Sequence, residues 1–168
     1  MEMLELANKL AAMKSIDIHL KNIDKIGDCH NLFHEQKVAL KHIAHTRNLN
    51  CLVGYNGNYK FSMIKAINDL YNEQNIKVLV VAKSVKVAHS IESNTNVKTT
   101  TIDNLVNSYN SGLVTHLPQE KSVLVVVETD VLSKRDMNHI LKISIERKLK
   151  LVLFGKYKEL VKKIYQGG

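Results

Sequence analysis

Residues 54–62 read GYNGNYKFS, with the spacing of a loop built to hold phosphate. Such a loop follows the pattern G-x-x-x-x-G-K-[ST] between a buried strand and a helix. Its backbone N–H groups and lysine meet the anion while a hydroxyl reaches Mg²⁺. Gly54, Gly57 and Lys60 are residue types this chemistry needs, but Tyr59 stands at the last glycine and Phe61 at the hydroxyl. A Cβ at Tyr59 disfavours backbone angles that glycine takes freely and fills space beside the phosphate. Phe61 offers no oxygen to a metal ion. Giving Ser62 the hydroxyl role would put Phe61 where the lysine belongs, so a shifted register rescues nothing. The expectation is a phosphate-loop scaffold without its metal chemistry, in which Lys60 can still meet an anion.

Other candidate chemistry is thinner. His42 and His45 lie three apart, and Cys29, His30 and His34 cluster upstream. A zinc site needs four tetrahedral ligands, usually with CxxC-type pairs, and none occurs here, so no metal is expected. No Ser-His-Asp or Cys-His arrangement can be argued from spacing. The formal charge of +8 favours an acidic partner, nucleic acid before an anionic membrane. A lysine-rich surface kept for solubility is the plainer alternative. A late cluster, Lys148, Lys150, Lys156, Lys158, Lys162 and Lys163, suits either a DNA-facing surface or a solvated terminal helix.

The elements that must position these residues follow from periodicity. Apolar residues at helical spacing predict helices over Glu2–Lys14 and His34–His45. The polar stretch Ser15–Asn31, with Gly27 as a break, reads as a linker, so residues 1–31 are expected as an N-terminal helix and linker beside a domain spanning 32–168. From there strands and helices alternate. Strands are expected at Leu49–Val53, Lys77–Ala82, Val97–Thr101, Ser122–Val127 and Leu149–Phe154. Helices are expected at Lys60–Asn72, Val85–Ile91, Ile102–Tyr109 and Lys134–Arg147. Unbroken Val/Ile/Leu runs between helices predict an α/β fold, a parallel sheet with helices on both faces. The loop Ser111–Lys121, holding Pro118, is expected at the surface. Neither Cys29 nor Cys51 lies in a CxxC, so no disulfide and a reducing, cytoplasmic setting are expected. No basic, apolar leader and no apolar run of roughly 18 residues is present, so no membrane role is expected.

Five stretches carry a resemblance: LFHEQKVAL (32–40), the loop at 54–62, VVAKSVKVA (80–88), VLVVVETDVL (123–132) and VLFGKYKEL (152–160). Their order resembles the first RecA-like domain of superfamily 1 helicases, nearest to the RecD-like helicase part of conjugative-transfer relaxases. The resemblance implies a three-layer P-loop NTPase fold and a role for each stretch. Gln36 matches the glutamine that reads adenine. Lys83, Ser84 and Lys86 fall in a loop that touches single-stranded DNA, with Lys83 replacing a proline and Val85 a glycine. Val127 stands at the Walker B aspartate that holds Mg²⁺, while Glu128 matches the carboxylate that polarises the attacking water. Lys156 replaces an aspartate, and Glu159 a glutamine that senses the γ-phosphate; Lys156 and Lys158 add to the basic surface. The chain stops at Gly168, and a second RecA-like domain with its arginine finger is not in it.

The resemblance thus implies a nucleotide site, Gln36, Gly54, Gly57 and Lys60, that is vestigial, with Glu128 as a vestigial catalytic carboxylate. Loss of one preorganised group typically costs about 3–4 kcal/mol of transition-state stabilisation. Loss of hydroxyl, metal carboxylate and nest glycine together leaves no Mg²⁺-dependent hydrolysis to expect, and no cofactor. The expected function is an inactive helicase-like domain that binds single-stranded DNA. A protein-interaction platform and nucleotide binding without hydrolysis are the alternatives.

Overall fold

In a computed structural model, residues 2–16, 18, 21–45, 48–52, 58–113 and 117–155 are described, without the side chain of Asn58. The elements run α1 (Glu2–Ala12), α2 (Ile23–Cys29), α3 (His34–His45), β1 (Leu49–Leu52), α4 (Asn58–Asn72), β2 (Val78–Ala82) and α5 (Val85–Thr95). There follow β3 (Thr99–Thr101), α6 (Ile102–Asn110), β4 (Val123–Val126), a 3₁₀ turn (Thr129–Val131), α7 (Lys134–Glu146) and β5 (Lys150–Phe154). The five strands form one parallel sheet in the order β1-β5-β4-β2-β3. The predicted parallel α/β fold is what forms.

Alternation along each strand divides the core in two. Val78, Val80, Val123, Val125, Val152 and Phe154 face α2, α3, α4 and α5. Val81, Leu124, Val126, Leu151 and Leu153 face α1, α6 and α7. β4 is buried throughout, because both its faces and both its edges are covered. Helix starts follow capping chemistry: Ser84 caps α5, Thr101 caps α6, and Ser133 with Asp136 forms a capping box on α7.

Two expectations are corrected. The stretch 15–31, expected as a linker, carries α2, and both α1 and α2 pack into the cores. Ala7, Leu10 and Ala11 of α1 pack with α7 in one core, Lys142 of α7 pairs with Glu2 at 2.9 Å, and Ile23 and Ile26 of α2 enter the other core. Gly27 does not break the chain but lies inside α2, where the Lys37 stem passes so close that a Cβ would meet its Cγ at 3.0 Å. The loop Ser111–Lys121 is exposed at residues 111–113 and 119–121, as expected, but Pro118 within it is buried, and its carbonyl accepts from Arg147 Nε at 3.1 Å.

Lys150 belongs to no exposed basic cluster. It is fully buried in β5, on the face that carries Val152 and Phe154. Burial lowers its pKa from 10.5 to about 8, because the ammonium loses hydration. Below that value the charged form is held in the core; above it the folded chain binds fewer protons than the unfolded one, so stability rises with pH. We expect the wild type to gain about 2 kcal/mol from pH 8 to about 9.5 relative to Lys150→Met, read by urea denaturation. The window stops short of pH 10, where Tyr71, its pKa raised by burial, starts to withdraw stability. Equal pH profiles for the two proteins would refute the assignment.

Candidate functional site

The carboxyl ends of β1, β5 and β4 converge, with β5 between the other two. Gly155 follows β5, its N–H donating to the Leu52 carbonyl at 3.0 Å and its carbonyl accepting from Cys51 Sγ at 3.4 Å. Thr129, after β4, is buried and donates through Oγ1 to the Phe154 carbonyl at 3.2 Å. The turn presses so closely on Gly155 that a Cβ there would sit 2.1 Å from Thr129 Oγ1 and 2.7 Å from Asp130 Oδ1, at a φ of +143°. Only glycine fits both the space and the angle.

Lys60 lies in the first turn of α4, where helix N–H groups and the macrodipole favour an anion. Its side chain is only 15% exposed, and its ammonium lies 4.0 Å from Glu128 Oε1. Glu128 follows β4 in a left-handed conformation, φ 54° and ψ 46°, which aims its carboxylate across the strand ends. The lysine and the carboxylate therefore lie side by side. Val127 is fully buried, continuing the apolar face of Val125, and its N–H is held by the Val81 carbonyl at 3.0 Å. Phe61 packs against that same core. Among the described residues the site offers Glu128 and Asp130 as carboxylates, and a divalent cation such as Mg²⁺ takes six oxygens in near-octahedral geometry. The aromatic ring and the aliphatic side chain supply none at the two positions where the resemblance expects a ligand.

Gln36 is buried, and its amide is engaged. Oε1 accepts from the Phe33 N–H at 2.9 Å, closing the first turn of α3, and Nε2 donates to the Tyr59 carbonyl at 3.2 Å. It ties α3 to the start of α4. Beside it the rings of Phe33 and Tyr59 pack at a tilt, centroids 5.4 Å apart, both more than half exposed. Sequence reasoning missed that pair, because these residues are distant in the chain and meet only across the Gln36 bridge.

At the next turn, Lys83 donates to Asp136 Oδ2 at 2.9 Å. The hydrogen bond to Asp136 raises the pKa of Lys83 above its usual value. Burial alone would raise that of Asp136, but the bonds from Lys83 and Ser133 outweigh it and hold the carboxyl below the ordinary range. Ser84 spends its hydroxyl on the Val87 N–H at 3.2 Å, whereas Lys86 stays exposed. The structure brings Lys60 and Glu128 together and sets Lys83, Ser84 and Lys86 on a separate turn. Gly54, Gly57, Lys156 and Lys158, with Glu159, lie outside the described residues. His30, of the upstream Cys/His group, pairs with Asp69 at 2.5 Å.

Residues 31–163 match the AAA domain family. The chain is also similar to a probable conjugal transfer protein TraA of Sinorhizobium fredii, 26% identical over 126 residues. That alignment takes in 75% of this chain and 11% of the relative, so the chain spans a small part of its length. No described helix is long and apolar enough to cross a membrane.

The closeness at Gly155 gives a matched test. Gly155→Ala is expected to lose about 3 kcal/mol or more, because the clash meets a left-handed backbone. Gly112→Ala, at φ +68° with nothing within 4 Å of the added carbon, should lose only about 1 kcal/mol. Urea denaturation of both variants measures this, and equal losses would show that the Thr129 contact is not built as described.

Proposed function

The chain belongs to the AAA domain family, and on that premise we propose that it is a RecD-like helicase domain with degenerate ATPase motifs, kept as a DNA-binding module. The observation that carries this reading is the pair Lys60–Glu128. In a working site the lysine meets phosphate, and the carboxylate turns a water toward it. Here the two groups face each other across 4.0 Å, and their flanking positions hold Phe61 and Val127. Without a metal-held triphosphate the carboxylate has nothing to act on. The engaged amide of Gln36 points the same way, since a nucleobase would have to compete with Phe33 and Tyr59 for it.

Single-stranded DNA is the partner this reading favours, and the similarity to a conjugal transfer protein supports it. The charge of +8 supplies the attraction. Few residues are aromatic, so phosphate contacts carry the affinity rather than base stacking. In that role the chain works in the cytoplasm. A second reading, a platform for a protein partner, draws on the exposed Phe33–Tyr59 pair with the exposed Val38 nearby on α3.

Calorimetry with ATP and Mg²⁺, beside an ATPase assay, is expected to give no Mg²⁺-dependent binding and no hydrolysis. Anisotropy with a labelled oligonucleotide should show binding at low salt, with a log–log slope of roughly −0.7 per phosphate contacted. Turnover of ATP would overturn the inactive assignment. Absence of oligonucleotide binding at low salt would remove the DNA role.

A further inference from the structure

The sheet has a second end, opposite the Lys60–Glu128 site. At the amino ends of β2, β4 and β5 two cavities adjoin, one of about 520 Å³ and one of about 600 Å³. The first is lined by Asn68, Asn72, Lys77, Asn96, Lys98 and Gln119, among others. The second is lined by Lys14, Ser15, Lys121 and Lys148 over Met13 and Ile76. They meet at the consecutive pairs Ile76–Lys77 and Lys121–Ser122, on the segments that lead into β2 and β4.

The charge of this trough is one-sided. Among the described residues no Asp or Glu lines either cavity. Lys14, Lys77, Lys98 and Lys121 are exposed, and none forms an ion pair among the described residues. Lys148 has Glu120 at 3.6 Å, both more than half exposed, a pairing that water makes weak. At the opposite end, by contrast, Lys60 and Lys83 each face a carboxylate.

The backbone gives an independent sign. Lys121 at φ 60° and Lys148 at φ 53° are left-handed, a conformation that glycine or asparagine takes at less strain. Asn96, at φ 58° on the same rim, is the ordinary solution. Lysine at two such turns sets a cation at the cavity mouth against the local backbone preference. Strained positions of this kind cluster at functional sites.

The cations do not converge on one point. They come from the exit of α1 and from the segments preceding β2, β3, β4 and β5, as an extended polyanion requires and a small anion does not. Amides between them can hydrogen-bond sugar and base edges without demanding a sequence. We propose that this trough holds the phosphodiester backbone of single-stranded nucleic acid. The proposal rests on the DNA-binding reading above and assigns its surface to the amino end of the sheet.

The test is anisotropy with a fluorescein-labelled oligothymidylate of about 20 nucleotides across a salt series. The trough variant is Lys98→Gln/Lys121→Asn/Lys148→Asn, in which asparagine keeps both left-handed turns. Lys77→Gln/Lys98→Gln, away from those turns, is a second variant. Lys25→Gln/Lys41→Gln/Lys142→Gln removes equal charge elsewhere, and thermal melts verify folding. The trough triple variant should bind about tenfold or more weakly, with a salt slope shallower by about 2, while the control shifts less than about twofold. The double variant should fall in between. Wild-type binding that survives in both trough variants, or a control that loses as much as they do, overturns the assigned surface alone. A wild type that binds phosphatidylserine vesicles but no oligonucleotide overturns the DNA reading itself, and this surface with it.

Discussion

A parallel sheet cannot be closed by tight hairpins, so each strand must be reached by a crossover that returns the chain to the same end. That constraint orders the molecule. Strands β2, β4 and β5 bury both faces, the crossover helices have to cover them, and α1 and α2 are drawn in because the sheet needs more cover than the crossovers provide. It also divides the loops into two sets. Turns that leave strands gather Lys60, Lys83, Glu128, Thr129 and Gly155 at the carboxyl end, whereas turns that lead into strands gather Lys77, Lys98, Lys121 and Lys148 at the amino end.

How much of this the sequence disclosed depends on whether the deciding interaction was local. α3 runs His34–His45 and α4 ends at Asn72, as periodicity predicts, since an apolar stripe is written every three to four residues. Strand cores were legible for the same reason, although β3 shortened to Thr99–Thr101 because Val97 follows a left-handed helix end at Asn96. α2 was missed because seven residues with a central glycine hold too few apolar positions to show a period, and its helix depends on the Lys37 stem and on the core beneath. Lys150 misled most directly. In composition it belonged with its basic neighbours, whereas β5 is buried at every residue, Lys150 included.

The candidate site was legible in residue type but not in partnership. The glutamine, the phosphate-loop lysine and the strand-end carboxylate could all be picked out, and the structure places Gln36, Lys60 and Glu128 around one set of loops. What no spacing could reveal is that each is engaged by another part of the chain. Gln36 bridges to a carbonyl 23 residues away, and Lys83 to a carboxylate 53 residues away. Such pairings arise only once crossovers have brought distant turns together.

Those partnerships also bear on what the fold can still do. A buried polar group left without a partner costs about 1–3 kcal/mol, so donors and acceptors gathered at strand ends are under pressure to satisfy one another. At the carboxyl end that has happened: the amide of Gln36 is bonded at both its oxygen and its nitrogen, Lys83 is bonded to Asp136, and Lys60 leans toward Glu128. A ligand arriving there must displace protein contacts before it makes its own. At the amino end Lys77, Lys98 and Lys121 stand in water, and an arriving phosphate releases counterions rather than breaking internal bonds. On these terms a polyanion meets less opposition at the amino end, although the family's chemistry is written at the other.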